Sequence, residues 1–173
     1  MSTDLSPVIS TATRWLLSAY PAPHGALSRA LAEAQARQAA TVAAALRYPT
    51  GLDVELLYLL GPGGAGRLDR LTGADGRPEA LADWAWRTWV DETVVSWAAC
   101  LLADPRLAAA AVAALAGTEH GAELAGDAFR LTAPGEHDHD AAPLLRHPDL
   151  LDPIAALHRA DLLGLLRIEP VEG

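Results

Sequence analysis

Residues 117–127, GTEHGAELAGD, place three carboxylates and an imidazole in one predicted helix. Side chains of these types on one helix face are suited to bind a transition metal. At about 100° per residue, Glu119 borders the apolar stripe of this helix, Glu123 turns away from it and His120 points almost opposite. This pattern favours a solvated acidic ridge. The alternative is a metal site with the ligands Asp91, Glu119, His120 and Glu123.

A second candidate is an acid and base pair near the C-terminal end. His158 lies three residues before Asp161, and both are predicted on the inward face of a helix over 149–167. This geometry would suit proton transfer, and His158 and Asp161 are the predicted catalytic residues. The structural alternative is that the two satisfy each other or pair with an arginine such as Arg87, because a buried carboxylate needs a partner.

Four tryptophans fall in a helix predicted over 79–103, and three of them share one face of it. Trp84 lies on the opposite face with other apolar residues, so this helix is expected to pack on two sides or to offer one side to a partner. Tryptophans often line binding surfaces, although packing in a core or interface is their commoner use. The predicted ligand-binding residues are Trp84, Trp86, Trp89 and Trp97.

Two glycine-rich or charged segments are predicted as flexible loops, 61–78 and 130–148. The first begins GPGGAG but lacks the lysine and hydroxyl of a phosphate-binding loop, so we do not expect nucleotide binding. The second contains EHDHD at 136–140, whose side chains could bind zinc or nickel adventitiously.

The elements that would position these residues are all helices. Prolines preceded by Ser or Asp mark helix starts at Ser6, Asp104 and Asp152, and no alternating strand pattern competes. We predict an all-α, single-domain helical bundle of five or six helices over residues 1–173. The predicted helices are 7–19, 25–47, 52–60, 79–103, 105–129 and 149–167.

The composition of the chain argues against some classes of binding partner. The net charge is −9 and all 13 basic residues are arginines, so there is no lysine-rich patch for nucleic acid. The apolar segments flanking Asp104 are about ten residues each, too short to span a bilayer. A lone Cys100 and an N-terminus without a secretory signal pattern predict a cytoplasmic protein, and the bias towards Ala, Arg and Gly suggests a bacterial source.

The stretch LADWAWRTWVDETVVSWAACLLADPRLAAAAVAALAGTEHGAELAGDAF, at about 81–129, resembles the last two long helices of ferritin-like carboxylate proteins of the phenylacetyl-CoA monooxygenase type. Asp91 or Glu92, the Asp104-Pro105 turn and Glu119 fall near the positions of the family motif, and Glu123 stands near where its histidine would be. The resemblance implies a ferritin-like helical bundle with a degenerate metal-ligand motif. Metal-free subunits of that family serve as structural partners of catalytic ones.

We therefore predict a non-catalytic accessory or binding subunit. It would hold a protein partner, a second copy of itself or a small apolar ligand through a tryptophan-rich surface or pocket, with no cofactor, no nucleic acid and no membrane. The alternative is an acid and base enzyme, or a metal-dependent oxygenase-like enzyme using iron or manganese, with its site in the bundle core.

Overall fold

The computed structural model describes residues 4–74, 81–121, 128–141, 144 and 147–169, with the side chains of 81–84 and 141 outside the description. Over these residues the chain is all-α, as predicted, and forms no strand. Two 3₁₀ segments, Leu81–Trp89 and Pro148–Leu150, connect some of the helices. The α-helices are α1 (Ser6–Ala19), α2 (Ala26–Arg47), α3 (Gly51–Leu60), α4 (Ala65–Thr72), α5 (Glu92–Ala103), α6 (Pro105–Leu115), α7 (Phe129–Thr132), α8 (Glu136–Ala141), α9 (Asp152–Ala155) and α10 (Arg159–Leu166).

Helices α2 and α5 form the centre of the bundle. α2 packs extensively against both α5 and α1, and α5 also packs against α9 and α6. The buried face of α2 consists largely of alanine, which lets neighbouring helix backbones approach closely. The small side chains thus explain how a chain with little aromatic content closes a dense core.

The boundary between α5 and α6 confirms the sequence prediction. The Asp104 carboxylate accepts hydrogen bonds from the backbone amides of Arg106 (2.9 Å) and Leu107 (3.3 Å). Pro105 occupies the first position of α6, where its missing amide proton costs nothing.

The continuous helix predicted over 79–103 is wrong. Asp91 has an extended backbone, and its carboxylate accepts hydrogen bonds from the amides of Thr93 (2.8 Å) and Val94 (3.2 Å). This cap starts α5 at Glu92 and leaves 81–89 as a separate 3₁₀ segment. The four tryptophans consequently do not share one helix.

The helix predicted over 105–129 also ends early, at Leu115. The Thr118 hydroxyl and amide both donate to the Leu115 carbonyl, at 2.8 and 2.9 Å, and so terminate the helix. A Cβ on Gly121 would lie 2.1 Å from that same carbonyl oxygen, so only glycine allows the chain to return so closely. Residues 116–121 fold back instead of continuing the helix.

The helix predicted over 149–167 is likewise divided, into α9 and α10, because the chain turns at 156–158. Both predicted loops contain helix: α4 lies within 61–78, and most of α7 and all of α8 lie within 130–148. None of the helices in the described part of the chain has the length and apolar character needed to cross a membrane.

Candidate functional site

Helix α3, GLDVELLYLL, presents apolar side chains on two opposite faces. Val54 and Leu57 face the core and are buried. On the opposite side, four leucines form a continuous row at helical spacing and are between 45% and 79% exposed. We call this row the leucine stripe: Leu52, Leu56, Leu59 and Leu60.

The first turn of α3 is held firmly in place. Thr50 and Asp53 form a capping box, in which the Asp53 carboxylate accepts from the Thr50 amide at 3.0 Å. The Glu119 carboxylate also accepts from the Gly51 amide at 3.0 Å. A carboxylate near a helix N-terminus is favoured by the helix dipole, so Glu119 adds to the stability of this turn.

The far end of α3 meets one of the candidate tryptophans. Tyr58 stacks edge-to-face on Trp89, with ring centroids 5.6 Å apart, and its hydroxyl donates to the Asp4 carbonyl at 2.8 Å. A shallow cavity beside them is lined by Leu60, Pro62 and Trp89 among others. Trp89 is therefore the described tryptophan that adjoins the leucine stripe.

Two of the other candidate tryptophans, Trp86 and Trp97, lie elsewhere. Trp97 is buried, and its indole donates to the His158 carbonyl at 3.0 Å. Trp86 contacts the guanidinium groups of Arg14 and Arg87, whose Cζ atoms each lie 5.2 Å from its ring centroid. Trp84 was predicted to bind ligand, and its side chain lies outside the described residues. The three candidate tryptophans with described side chains therefore have different surroundings.

An open cleft of about 640 Å³ separates α3 from the N-terminus of α5. Its volume falls within the range of about 300–1,000 Å³ typical of small-molecule sites. Leu56, Leu57 and Leu60 form its apolar wall. The polar side chains that line the cleft are Arg47, Tyr48, Asp53, Asp91, Glu92, Thr93 and His158.

His158 makes the principal acid and base contact in the cleft, and its closer partner is Glu92. Its Nε2 lies 2.8 Å from the Glu92 carboxylate, which also pairs with Arg67 at 3.3 Å. Its Nδ1 lies 3.3 Å from Asp161. A neutral imidazole donates from one ring nitrogen only, so both contacts form together when the ring is protonated.

The prediction that Asp161 points inward is wrong. Its side chain is 69% exposed, because the turn at 156–158 rotates α10 relative to α9. His158 is placed by its backbone instead: its amide donates to the Ser96 hydroxyl at 3.0 Å, and its carbonyl accepts from Trp97. The residue that sequence reasoning missed as its partner is Glu92, because the two are distant in sequence and meet only through packing.

Asp91 and Tyr48 form a second polar pair at the cleft. The Tyr48 hydroxyl donates to the Asp91 carboxylate, whose other oxygen caps α5. Burial, followed by the hydrogen bond to Asp91, raises the pKa of Tyr48 well above its ordinary value. Tyr48 therefore stays protonated and acts as a hydrogen-bond donor rather than as a base.

Three of the four residues predicted to bind metal instead form hydrogen bonds with different backbone groups. Glu119 accepts from the Gly51 amide, and the His120 Nε2 lies 2.9 Å from the Tyr48 carbonyl, to which it donates. Asp91 caps α5, and Glu123 lies outside the described residues. Within the described residues, no three His, Cys, Asp or Glu side chains are grouped so that they could hold a metal ion.

The EHDHD segment forms helix α8 rather than a loop. Asp138 is buried and pairs with Arg130 at 2.6 Å, while Gln35 of α2 donates to the Asp138 carbonyl at 2.9 Å. Burial opposes ionisation, but the hydrogen bonds from Gly135, Arg130 and Gln35 outweigh it and lower the pKa of Asp138. Asp138 thus docks α8 on the bundle and is engaged in a structural pair.

Comparison of the chain with protein-family models, curated proteins and solved structures finds no match.

Proposed function

We propose that the protein is a non-catalytic accessory subunit that binds a protein partner through the leucine stripe of α3. The observation that carries this proposal is the exposure of four leucines in one row, on a helix that already buries its opposite face. Continuous exposed apolar surface of this kind marks interaction sites in soluble proteins. Trp89 lies beside Leu60 at one end of this surface.

The free energy available at the stripe is substantial. Burying one leucine side chain completely stabilises a complex by about 1.5–3 kcal/mol. The capping box and Glu119 fix the first turn of α3 before any partner arrives, so little ordering of this helix opposes binding. The arrangement suits an apolar partner surface that packs along the length of α3.

A fluorescence anisotropy titration tests this proposal. The probe is a labelled synthetic amphipathic helix that carries a leucine row and uncharged glutamine flanks. We expect saturable binding that is lost in the double variant Leu52→Ser/Leu59→Ser. The matched control is Leu27→Ser, which changes an equally exposed leucine at the start of α2. Equal binding by the double variant and the wild type would refute the role of the stripe.

A second candidate function is an acid and base enzyme that works in the cleft. The observation that favours it is the 2.8 Å contact between His158 and Glu92 at the cleft wall. Its test compares wild type and His158→Gln for hydrolysis of a panel of chromogenic esters. Loss of turnover with an unchanged melting temperature would support the enzyme, whereas equal turnover by both proteins would exclude His158 from the chemistry.

A further inference from the structure

The flanks of the leucine stripe carry only negative charge within α3. At about 100° per residue, Asp53 lies on one side of the stripe and Glu55 on the other. The ten residues of α3 include no basic side chain. An apolar row between two acidic flanks therefore forms the outward surface of this helix.

The flank on the Asp53 side borders the cleft. Asp91 and Glu92 lie on its wall, and among the described lining residues Arg47 is the only arginine. The Glu92 carboxylate is partly neutralised by Arg67 at 3.3 Å. Asp91 is buried and Glu92 is paired, so the negative charge beside the stripe comes mainly from Asp53 and Glu55.

The charge pattern selects among possible occupants. A second copy docking by the same stripe would set two acidic helices without basic side chains against each other, and such an interface has no charge complementarity. An anionic membrane surface would be repelled by the same carboxylates, and the whole chain carries a net charge of −9. A partner with cationic side chains on both sides of its apolar row would be attracted to both Asp53 and Glu55.

We infer that the partner segment is a basic amphipathic helix, with its own apolar row flanked by Arg or Lys. This inference rests on the proposed function and names the chemistry of the partner. Leu52, Leu56 and Leu59 follow i, i+4, i+7 spacing, which matches the anchor spacing of a helix lying along α3. Charge complementarity then fixes which helices are accepted.

The test uses three labelled peptides with the same leucine row and with Lys, Gln or Glu flanks. A fourth peptide has the Lys-flanked composition with its leucines scrambled, which controls for non-specific attraction to an acidic protein. We expect the Lys-flanked peptide to bind about tenfold more tightly than the Gln-flanked peptide, and the Glu-flanked peptide to bind most weakly, because several exposed charge pairs act together. The preference should shrink as salt rises.

Variants of the flank complete the experiment. Glu55→Arg should reduce the preference for Lys flanks, and Glu33→Gln, an exposed change on α2, should not. Equal affinity for all three flank types would overturn the inference and leave the leucine stripe as a binding surface. Failure of every peptide to bind would overturn both. Tighter binding to zwitterionic vesicles, or a concentration-dependent dimer mass, would assign the stripe to a membrane or to a second copy and overturn the inference.

Discussion

At the scale of single residues, three aspartates have structural roles that follow from their burial and hydrogen bonds. Asp69, Asp91 and Asp138 are all buried. Asp69 accepts from the Trp15 indole at 3.0 Å and pairs with Arg87. Such carboxylates are stable in a core because each is hydrogen-bonded and, for two of them, paired with an arginine.

Replacement of Asp138 by asparagine should destabilise the fold in a pH-dependent way. Because the folded pKa of this carboxyl lies below its ordinary value of 3.8, its stabilising contribution is present above that value and is lost as the pH falls through the folded pKa. We expect the variant to lose about 3 kcal/mol at pH 7, since Arg130 would keep its charge without its partner. Urea unfolding at pH 7 and at about pH 3 measures both values. An equal loss at the two pH values would show that ionisation of Asp138 does not matter.

At the scale of a single element, helix α3 has two opposite apolar faces, one buried and one exposed. Its inward residues Val54 and Leu57 join the core, while the leucine stripe stays outside. Ten residues with seven apolar side chains make both faces apolar, and periodicity alone could not tell which face was buried.

The two faces of α3 should respond oppositely to substitution. Leu57→Ala should cost about 2–5 kcal/mol, because it leaves a cavity in the core. Leu59→Ser should change stability by no more than about 0.5 kcal/mol, because the side chain is already in water. Thermal unfolding of both variants checks this contrast. A large destabilisation by Leu59→Ser would mean that the stripe belongs to the core.

Local chemistry decided which element boundaries could be read from the sequence. The start of α6 was predictable because Asp104 and Pro105 form a local cap. The break at Asp91 was not, because an acid inside an apolar run is ambiguous until its backbone conformation is known. The turn after Leu115 depends on Thr118 and on the close approach at Gly121, and neither is a strong sequence signal.

The candidate site was less accessible to sequence reasoning than the fold class. His158 was identified, but its contact with Glu92 joins residues 66 positions apart. The predicted pair of His158 and Asp161 requires an unbroken helix over 149–167, and the turn at 156–158 interrupts that helix. The leucine stripe could have been found from the excess of apolar residues in α3, since a helix of ten residues in a bundle needs only one apolar face.

At the scale of the whole molecule, helix packing and hydrogen bonds hold the bundle together. α2 and α5 carry the core, and the described residues predicted as metal ligands hold loops and helix ends. The ferritin-like resemblance remains a prediction. The chain carries a net charge of −9 and exposes an apolar stripe, which together fit selective attraction of a cationic partner.

Removal of divalent and transition metals should leave the fold unchanged. We expect the same melting temperature before and after dialysis against a chelator, because Asp91, Glu119 and His120 already satisfy backbone groups. Differential scanning calorimetry, run beside metal analysis by plasma mass spectrometry, provides the measurement. A lower melting temperature after chelation, restored by iron or manganese, would instead support the metal-enzyme alternative.

Site-specific photocrosslinking tests most directly the claim that the leucine stripe is a partner-binding surface. Benzoylphenylalanine is placed at Leu59 and, as a control, at the exposed Glu33 of α2, and each protein is irradiated in an extract of its native cells. We expect an adduct at position 59 only, mapped by mass spectrometry to an amphipathic helix with leucines between Arg or Lys flanks and lost in the Leu52→Ser background. Equal adducts at both positions, or adducts only with another copy of this chain, would contradict it.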